Sequence, residues 1–195
     1  MIRLVRLLAV LLLAGCASTS DTVTSSGWAI TYSSGVTLQD SGNGCSFNFP
    51  AEPGHVNYLL KPFSIPKGAK SVSITFKITG TGKFSAVNKD CKLPPGFRIM
   101  LEVVGDTMID EFGRWWSNPD SYTLVTDGKT HTLTVSLTPA HWSSVYGKPA
   151  TQTLKEFNSA LTRIGKAGPT YGSGCDFGHG ASGDAKFELV SFSVK

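Results

Sequence analysis

Residues 71–79 read SVSITFKIT, and this stretch decides the fold class. Its apolar residues alternate with Ser, Thr and Lys. Successive side chains of a β-strand point to opposite faces of the sheet, so the alternation predicts a strand with one buried face and one polar face. The buried face is predicted to consist of Val72, Ile74, Phe76 and Ile78.

The same alternation recurs along the chain. Residues 97–104 and residues 130–138 repeat it, again with apolar residues at every second position. Turn residues, mainly Gly and Pro, separate these stretches from shorter runs that also favour strands. Those further strand candidates are residues 28–34, 45–49, 56–65, 164–171 and 185–194.

The last strand candidate has a change of phase. Val190, Phe192 and Val194 are predicted to share one face, and Phe187 and Leu189 are out of phase with them. One extra residue in one strand of a pair has this effect, so the pattern predicts a β-bulge near Leu189.

One stretch has helical spacing instead. Residues 151–161 place Leu154, Phe157 and Leu161 three and four positions apart, which is typical of one face of an α-helix. Many short strands, regular turn signals and one short helix together predict an all-β fold, in which two antiparallel sheets pack as a sandwich. Two packed sheets also explain why each strand has a single apolar face.

The charge of the chain argues against one class of partner. The formal net charge is +4, but Arg3 and Arg6 lie in an N-terminal stretch, residues 1–15, that contains no acid. Without that stretch the remainder carries +2. Nucleic-acid binding relies on a strongly basic surface, so we expect no nucleic-acid partner.

The N-terminus has the order of a secretory signal. Two arginines precede the apolar residues 7–14, and small residues follow in Leu13-Ala14-Gly15-Cys16. The apolar run is much shorter than the ~20 residues that a membrane-spanning helix needs. A plain signal peptide or a short anchor helix is the simpler interpretation, but neither explains the position of the cysteine. The LAGC sequence resembles the lipobox of bacterial lipoproteins.

This resemblance implies how the chain is processed and where it resides. Residues 1–15 would be removed as a lipoprotein signal peptide, and Cys16 would carry the lipid that anchors the protein to a membrane of the bacterial cell envelope. Ala17 stands where an Asp favours inner-membrane retention in enterobacteria, which points to the outer membrane over the inner. Residues 16–27 are small and polar, so they predict a lipidated tether, and residues 28–195 predict one domain.

Three cysteines remain beyond Cys16, namely Cys45, Cys91 and Cys175. In an oxidising compartment an odd number predicts one disulfide and one remaining thiol, and three reduced thiols are the alternative. Their spacing matches no zinc-binding pattern. The residues alone leave all three pairings open.

Several stretches in order carry a second resemblance. It covers residues 28–195, with GD at 105–106, RWWS at 114–117, TLTVSLTP at 132–139, WSSVYG at 142–147 and the tail from residue 157 to residue 194. The order is similar to jelly-roll domains of the galactose-binding-like class, which includes many carbohydrate-binding modules. The resemblance implies a jelly roll whose closing strand runs antiparallel to residues 71–79. It thereby brings Cys91 and Cys175 to one end of the sandwich and favours a disulfide between them.

The predicted ligand-binding residues centre on Arg114, Trp115 and Trp116. Adjacent residues on a strand point to opposite faces, so we expect one Trp in the core and the other exposed, where its flat face can bind a sugar ring. Packing of both rings in the core is the alternative. Arg98 and Glu102 project from the same side of one predicted strand, about 13 Å apart. They are predicted either to flank a ligand or to be ordinary surface residues.

Tyr171 is a further aromatic candidate for ligand binding, with structural packing as the alternative. Asp106, Asp110 and Glu111 precede the Arg-Trp-Trp stretch. Carboxylates bind sugar hydroxyls or a calcium ion, so Asp110 is predicted to contact ligand and all three acids to mark a structural calcium site. A solvated acidic loop is the alternative.

Three functions remain open from the sequence. The first is a non-catalytic module that binds a carbohydrate. The second is a structural or adhesion lipoprotein with an unidentified protein partner. The third is a small glycan-active enzyme, which would need two carboxylates about 5–10 Å apart. No pair of acids, catalytic residue or metal site other than the calcium site is assigned, which argues against the enzyme. The LAGC sequence, the sandwich pattern and the Trp-rich stretch with its arginine favour the binding module.

Overall fold

The computed structural model describes residues 23–42, 44–175 and 178–195. The predicted signal peptide, Cys16 and the first part of the tether lie outside the described residues. Within them the chain forms strands in two antiparallel sheets and one α-helix, so the predicted all-β sandwich with one short helix is confirmed. No helix in these ranges is both long and apolar enough to cross a bilayer.

The strands and the helix have the following bounds. They are β1 (Ala29–Thr31), β2 (Gln39–Asp40), β3 (Cys45–Asn48), β4 (Tyr58–Pro62), β5 (Ser71–Ala86), β6 (Gly96–Val103), β7 (Arg114–Ser117), β8 (Tyr122–Thr123), β9 (Thr130–Ser136), β10 (Trp142–Ser144), α1 (Leu154–Leu161), β11 (Ile164–Gly172) and β12 (Ala181–Val194). Two short 3-10 turns, Pro139–His141 and Ala150–Gln152, flank β10.

The strand order is that of a jelly roll. The seven-stranded sheet runs β1-β4-β11-β6-β7-β10, with β8 paired to β6, and the five-stranded sheet runs β2-β3-β12-β5-β9. Of these, β3, β4, β5, β6, β7, β9, β11 and β12 form the eight-stranded jelly roll. Several neighbouring strands, such as β3 with β12 and β4 with β11, come from distant parts of the chain. Residues far apart in sequence therefore meet on each face.

The stretch at residues 71–79 lies at the start of β5, which extends further than its alternation predicts. Val72, Ile74, Phe76 and Ile78 are all buried, whereas the residues between them are half-buried. The ring of Phe76 contacts Phe97 of the opposite sheet, with 4.9 Å between ring centroids. Burial of each such side chain contributes about 1.5–3 kcal/mol. This strand therefore joins the two sheets through the core.

The bulge in β12 is confirmed, because its pairing with β5 shifts between Leu189 and Ser191. The placement of Val190 on the same face as Phe192 was wrong. Val190 is the extra residue of the bulge, and it is exposed, while Phe192 packs against the core. The helical stripe also needs correction at one end, because Leu154 is exposed and Phe157 and Ala160 are the buried residues of α1.

Part of the predicted tether is attached to the domain. The Trp28 amide donates a hydrogen bond to Thr24 Oγ1 at 2.9 Å, and the Ser25 amide donates one to Asp40 Oδ2 at 2.6 Å. Asp40 belongs to β2 of the five-stranded sheet, and Ala29 of β1 belongs to the seven-stranded sheet. Residues 23–28 therefore connect the two sheets at this edge of the sandwich.

Cys91 and Cys175 form a disulfide, which is the pairing that the jelly-roll resemblance implies. Cys91 follows β5 and Cys175 follows β11, so the bond links the two sheets at one end. The remaining thiol, Cys45, is fully buried, and burial raises its pKa to about 12. It therefore stays protonated at neutral pH.

Candidate functional site

The outer face of the seven-stranded sheet, the one that points away from the core, carries an unusual set of side chains. Tyr58 and Leu60 of β4, Met100 of β6 and Trp116 of β7 form a second, smaller apolar cluster there. Met100 lies opposite Trp116 in the pairing of β6 with β7. Because Trp116 faces away from the core, its neighbour Trp115 points into the core.

A pocket of about 460 Å³ lies over this cluster, within the range of roughly 300–1,000 Å³ that is usual for small-ligand sites. The strands contribute Tyr58, Arg98, Arg114 and Trp116 to its lining. The turn after β10 and the segments after β7 and β11 supply the rest. These are Asn118, residues 144–147, Cys175 and His179.

A buried ion pair fixes one side of the pocket. The Nε of Arg114 lies 3.0 Å from Asp106 Oδ2, and the two side chains are 6 % and 0 % exposed. The Nη2 of Arg114 also donates a hydrogen bond to the Met108 carbonyl at 2.6 Å. Asp106 is therefore not part of a solvated acidic loop, because its carboxylate is enclosed with the guanidinium of Arg114.

A glycine makes room for this ion pair. A Cβ at Gly113 would lie 2.1 Å from Oδ1 of Asp106, so no larger residue fits there without moving the carboxylate. The guanidinium of Arg114 in turn lies over the ring of Trp116, at 5.7 Å from the centroid, within the range of a cation–π contact. The ion pair thus holds Trp116 in position at the pocket.

The two tryptophans point to opposite faces, but neither is well exposed. Trp115 is fully buried and its Nε1 donates to the Phe112 carbonyl at 3.1 Å. Trp116 is only 7 % exposed, because Arg114 covers its ring and Met108 packs against its cluster. The expectation of an open aromatic platform at this position was therefore wrong. The Nε1 of Trp116 is buried at the pocket without a hydrogen-bond partner among the described residues.

Arg98 and Glu102 project from the same face of β6, as predicted, but only Arg98 lines the pocket. Burial lowers the pKa of Arg98 to about 10. Glu102 forms an ion pair with Lys166 of β11, with 2.9 Å from Oε1 to Nζ. The two residues consequently do not flank one ligand site.

Tyr171 is not a ligand-binding candidate in this structure. Its ring is fully buried and contacts Phe47, Phe97 and Phe187 in the core. Burial raises the pKa of Tyr171 well above its usual value. The preceding residue, Thr170, lies opposite Tyr58 and Arg98 in the sheet, so the alternation of β11 directs Tyr171 inward.

The other acids of the same loop lie outside the pocket. Asp110 is exposed and accepts a hydrogen bond from the Phe112 amide at 2.8 Å. Glu111 forms an ion pair with Lys148 at 3.0 Å. The described ranges contain no group of three or more His, Cys, Asp or Glu residues that is arranged to hold a metal ion. A calcium ion at Asp106, Asp110 and Glu111 stays a prediction that no observation tests.

Sequence reasoning missed several lining residues, notably Tyr58, Asn118, Ser144 and Tyr146. Ser144 is 1 % exposed and its Oγ has no hydrogen-bond partner among the described residues. Tyr146 is 69 % exposed at the rim. One signal was available, because the consecutive apolar residues of β4, YLL, indicate a strand that is covered on both faces. No local signal marks a residue of a turn as part of a distant pocket.

Comparison with known proteins identifies no family. No model of a known protein family matches the chain, and no curated protein matches it. The pocket itself is therefore the basis for assigning a function. The pocket combines two guanidinium groups and the aromatic rings of Tyr58, Trp116 and Tyr146. Three buried polar groups of its lining residues, Trp116 Nε1, Asn118 Oδ1 and Ser144 Oγ, have no hydrogen-bond partner among the described residues.

Proposed function

We propose that this protein is a membrane-anchored bacterial lipoprotein whose jelly-roll domain binds a glycan, without catalysis, in the pocket on the outer face of the seven-stranded sheet. The observation that carries the proposal is the lining of that pocket, where Trp116 and Tyr146 lie beside Arg98 and Arg114. Sugars present apolar C–H faces and polar hydroxyl edges. Aromatic rings suit the former, and donors in a fixed geometry suit the latter.

The buried polar groups support a polar ligand. The Oγ of Ser144 and the Nε1 of Trp116 are both shielded and unpartnered among the described residues. A buried donor without a partner costs roughly 1–3 kcal/mol, so such groups are uncommon unless they serve a ligand or ordered water. Both groups belong to residues that line the pocket, which favours a polar ligand over an apolar one.

The anchor rests on the N-terminal sequence. The LAGC stretch ends at Cys16, and among the described residues the first that hydrogen-bonds to the domain is Thr24. From Cys16 to Thr24 a fully extended chain spans at most about 29 Å. The lipid would hold the glycan-binding domain close to the membrane surface. Ala17 occupies the position at which an Asp favours inner-membrane retention, which supports an outer-membrane location.

A second candidate is a structural or adhesion lipoprotein that binds a protein partner. The observation in its favour is the outer face of the five-stranded sheet, where hydroxyl groups pair across strands. Ser73 lies 2.8 Å from Thr134, and Thr75 lies 3.0 Å from Thr132, measured between side-chain oxygens. A regular, polar face of this kind is suited to a broad contact. We do not propose hydrolysis, since the described lining residues of the pocket hold no pair of carboxylates.

A glycan array with three variants tests the proposed function. Tyr146→Ala removes an exposed ring and should reduce affinity about tenfold, and Ser144→Ala should reduce it about two- to tenfold through loss of one hydrogen bond. Ile109→Ala is the matched control, because Ile109 is 79 % exposed and lies outside the pocket lining. It should bind as the unmodified chain does. Parallel arrays with calcium and with a chelator test the predicted calcium site.

Two results would contradict glycan binding in this pocket. One is an array with no retained glycan. The other is retention that Tyr146→Ala and Ser144→Ala leave unchanged. A stoichiometric protein partner recovered from membranes, with its binding abolished by charged substitutions at Thr132 and Thr134, would favour the adhesion candidate instead.

A further inference from the structure

We infer that the glycan is bound as a chain of sugar units, and that Tyr32 binds a unit beyond the one held in the pocket. This inference rests on the proposed function and adds the length of the ligand to it. A single sugar needs only the pocket, whereas an oligosaccharide needs a binding surface that continues outside it.

The first argument is the position of the Tyr32 ring. Ile30 of β1 faces the core, and Thr31 lies opposite Tyr58, a residue of the outer face. Residue 32 would therefore face the core if the strand continued. Instead β1 ends, Tyr32 adopts a φ of 52°, and its ring lies against Tyr58 with 5.8 Å between ring centroids. The residue is 62 % exposed.

The second argument is the backbone conformation at Tyr32. A left-handed φ is an outlier for a bulky residue, and such conformations are concentrated at functional sites. Gly or Asn would adopt this φ with less strain. The tyrosine lies outside both apolar clusters, so its ring adds little to the core. An exposed ring that is held in a strained conformation favours a role in binding.

The third argument is continuity with the pocket. Tyr58, which contacts Tyr32, is itself a lining residue. Burial raises the pKa of Tyr58, and the charge of Arg114 and a hydrogen bond that it donates to the Tyr58 side chain oppose this rise. Arg114 in turn lies over the ring of Trp116. Side chains in mutual contact therefore lead from Tyr32 into the pocket.

The fourth argument is the width of the surface. Tyr32 follows β1 and Tyr146 follows β10, and these strands end the path β1-β4-β11-β6-β7-β10 across the seven-stranded sheet. Five spacings of about 4.8 Å make this path about 24 Å wide. An oligosaccharide laid across the strands can reach both exposed rings, whereas one sugar cannot. Flat aromatic rings suit the apolar faces of successive sugars.

The test uses series of oligosaccharides, from single sugars to hexasaccharides, of β-glucan, chitin, mannan, xylan and galactan. Calorimetry on each series that binds should show that affinity rises about three- to tenfold with length, as expected for one added aromatic contact. Tyr32→Ala should abolish this rise and leave binding of the single sugar unchanged. Tyr32→Phe keeps the ring and should keep the rise.

Three further variants separate binding from folding. Tyr32→Asn also removes the ring, but Asn adopts a left-handed backbone readily, so thermal unfolding should show that the fold is retained. Tyr146→Ala is the contrast, because Tyr146 lines the pocket and its loss should weaken binding at every length. Val190→Ala is the matched control, because Val190 is exposed on the five-stranded sheet. It should bind every oligosaccharide as the unmodified chain does.

Nitration of exposed tyrosines, located by peptide mapping, tests the same contact without substitution. Tyr32 and Tyr146 are 62 % and 69 % exposed, so both should react in the free protein. A hexasaccharide should protect both residues, and a single sugar should protect Tyr146 alone.

Each outcome is decisive. An affinity that does not depend on length, or a length dependence that Tyr32→Ala leaves unchanged, would overturn the inference while glycan binding stands. Equal losses at every length in Tyr32→Ala would make Tyr32 a support for Tyr58 and would also overturn it. So would protection of Tyr146 alone by the hexasaccharide. Failure of every series to bind would overturn the proposed function together with this inference.

Discussion

The two outer faces of the sandwich share one core but differ in almost every other respect. On the seven-stranded sheet, a tryptophan, a buried ion pair and unpartnered polar groups surround a pocket. On the five-stranded sheet, Ser and Thr hydroxyls of β5 and β9 pair with one another and lie open or half-open to solvent. The same alternation of apolar and polar residues therefore supports both a ligand site and a plain polar surface.

The difference comes from what covers each face. The loop between β6 and β7, which contains Asp106 and Met108, packs onto the seven-stranded face, and the turn at residues 144–147 closes another side. In that turn the Gly147 amide donates to the Ser144 carbonyl, and Gly147 has a φ of 78° that favours glycine. Loops of this kind enclose polar groups that a bare sheet would leave in water.

The largest effect is expected from breaking the ion pair that belongs to the pocket face alone. Asp106→Ala leaves the guanidinium of Arg114 buried without its partner, which should lower the free energy of unfolding by about 3–5 kcal/mol. Urea denaturation measures this loss. In the double variant Asp106→Leu with Arg114→Met, no charge remains buried, so much of the stability should return. A loss below about 1 kcal/mol in Asp106→Ala would contradict the claim that this ion pair stabilises the pocket face.

The next largest effect is expected at the bond that joins the sheets beside the pocket. Replacement of both Cys91 and Cys175 by Ser should lower the free energy of unfolding by about 2–4 kcal/mol, because the unfolded chain loses a cross-link over 84 residues. Cys175 lines the pocket, so glycan affinity should also fall. Reductant should destabilise the unmodified chain but not the variant. Equal stability of the two in the absence of reductant would contradict the role of this bond.

The smallest effect is expected on the hydroxyl face. Thr75→Val together with Thr132→Val removes both partners of one hydrogen bond and keeps the branched shape that suits a strand. Removal of both partners is nearly neutral, so the free energy of unfolding should change by no more than about 0.5 kcal/mol and glycan binding should not change. If this pair instead costs as much as Asp106→Ala, the hydroxyl face is as tightly organised as the pocket face.

Much of the fold could be predicted because its signals are local. The alternation in β5 and β6 and the phase change at Leu189 are properties of neighbouring residues, and they depend only on the pleat of a strand. The opposite directions of Trp115 and Trp116 follow from the same geometry. Arg114 was a ligand-binding candidate because of the tryptophans beside it, and Arg98 was left open between flanking a ligand and being an ordinary surface residue. Both arginines line the pocket.

The remainder of the site could not be predicted, because it depends on which strands become neighbours. Tyr58 of β4 and Arg98 of β6 line the same pocket because both strands pair with β11. Tyr171 was a ligand-binding candidate with structural packing as the alternative, and the register of β11 with β6 directs it into the core. The pairing of Asp106 with Arg114 depends on a loop that folds back over its own strand.

By itself, the sequence determined that this chain forms a sandwich of half-buried strands, with one tryptophan on each face of β7. It did so because side-chain direction along a strand is a local property with a period of two. Only the tertiary structure decided which outer face became a pocket and which cysteines became bonded. It also decided that Asp106 pairs with Arg114 instead of facing solvent. These features depend on contacts between distant segments, and periodicity carries no information about the order of strands in a sheet.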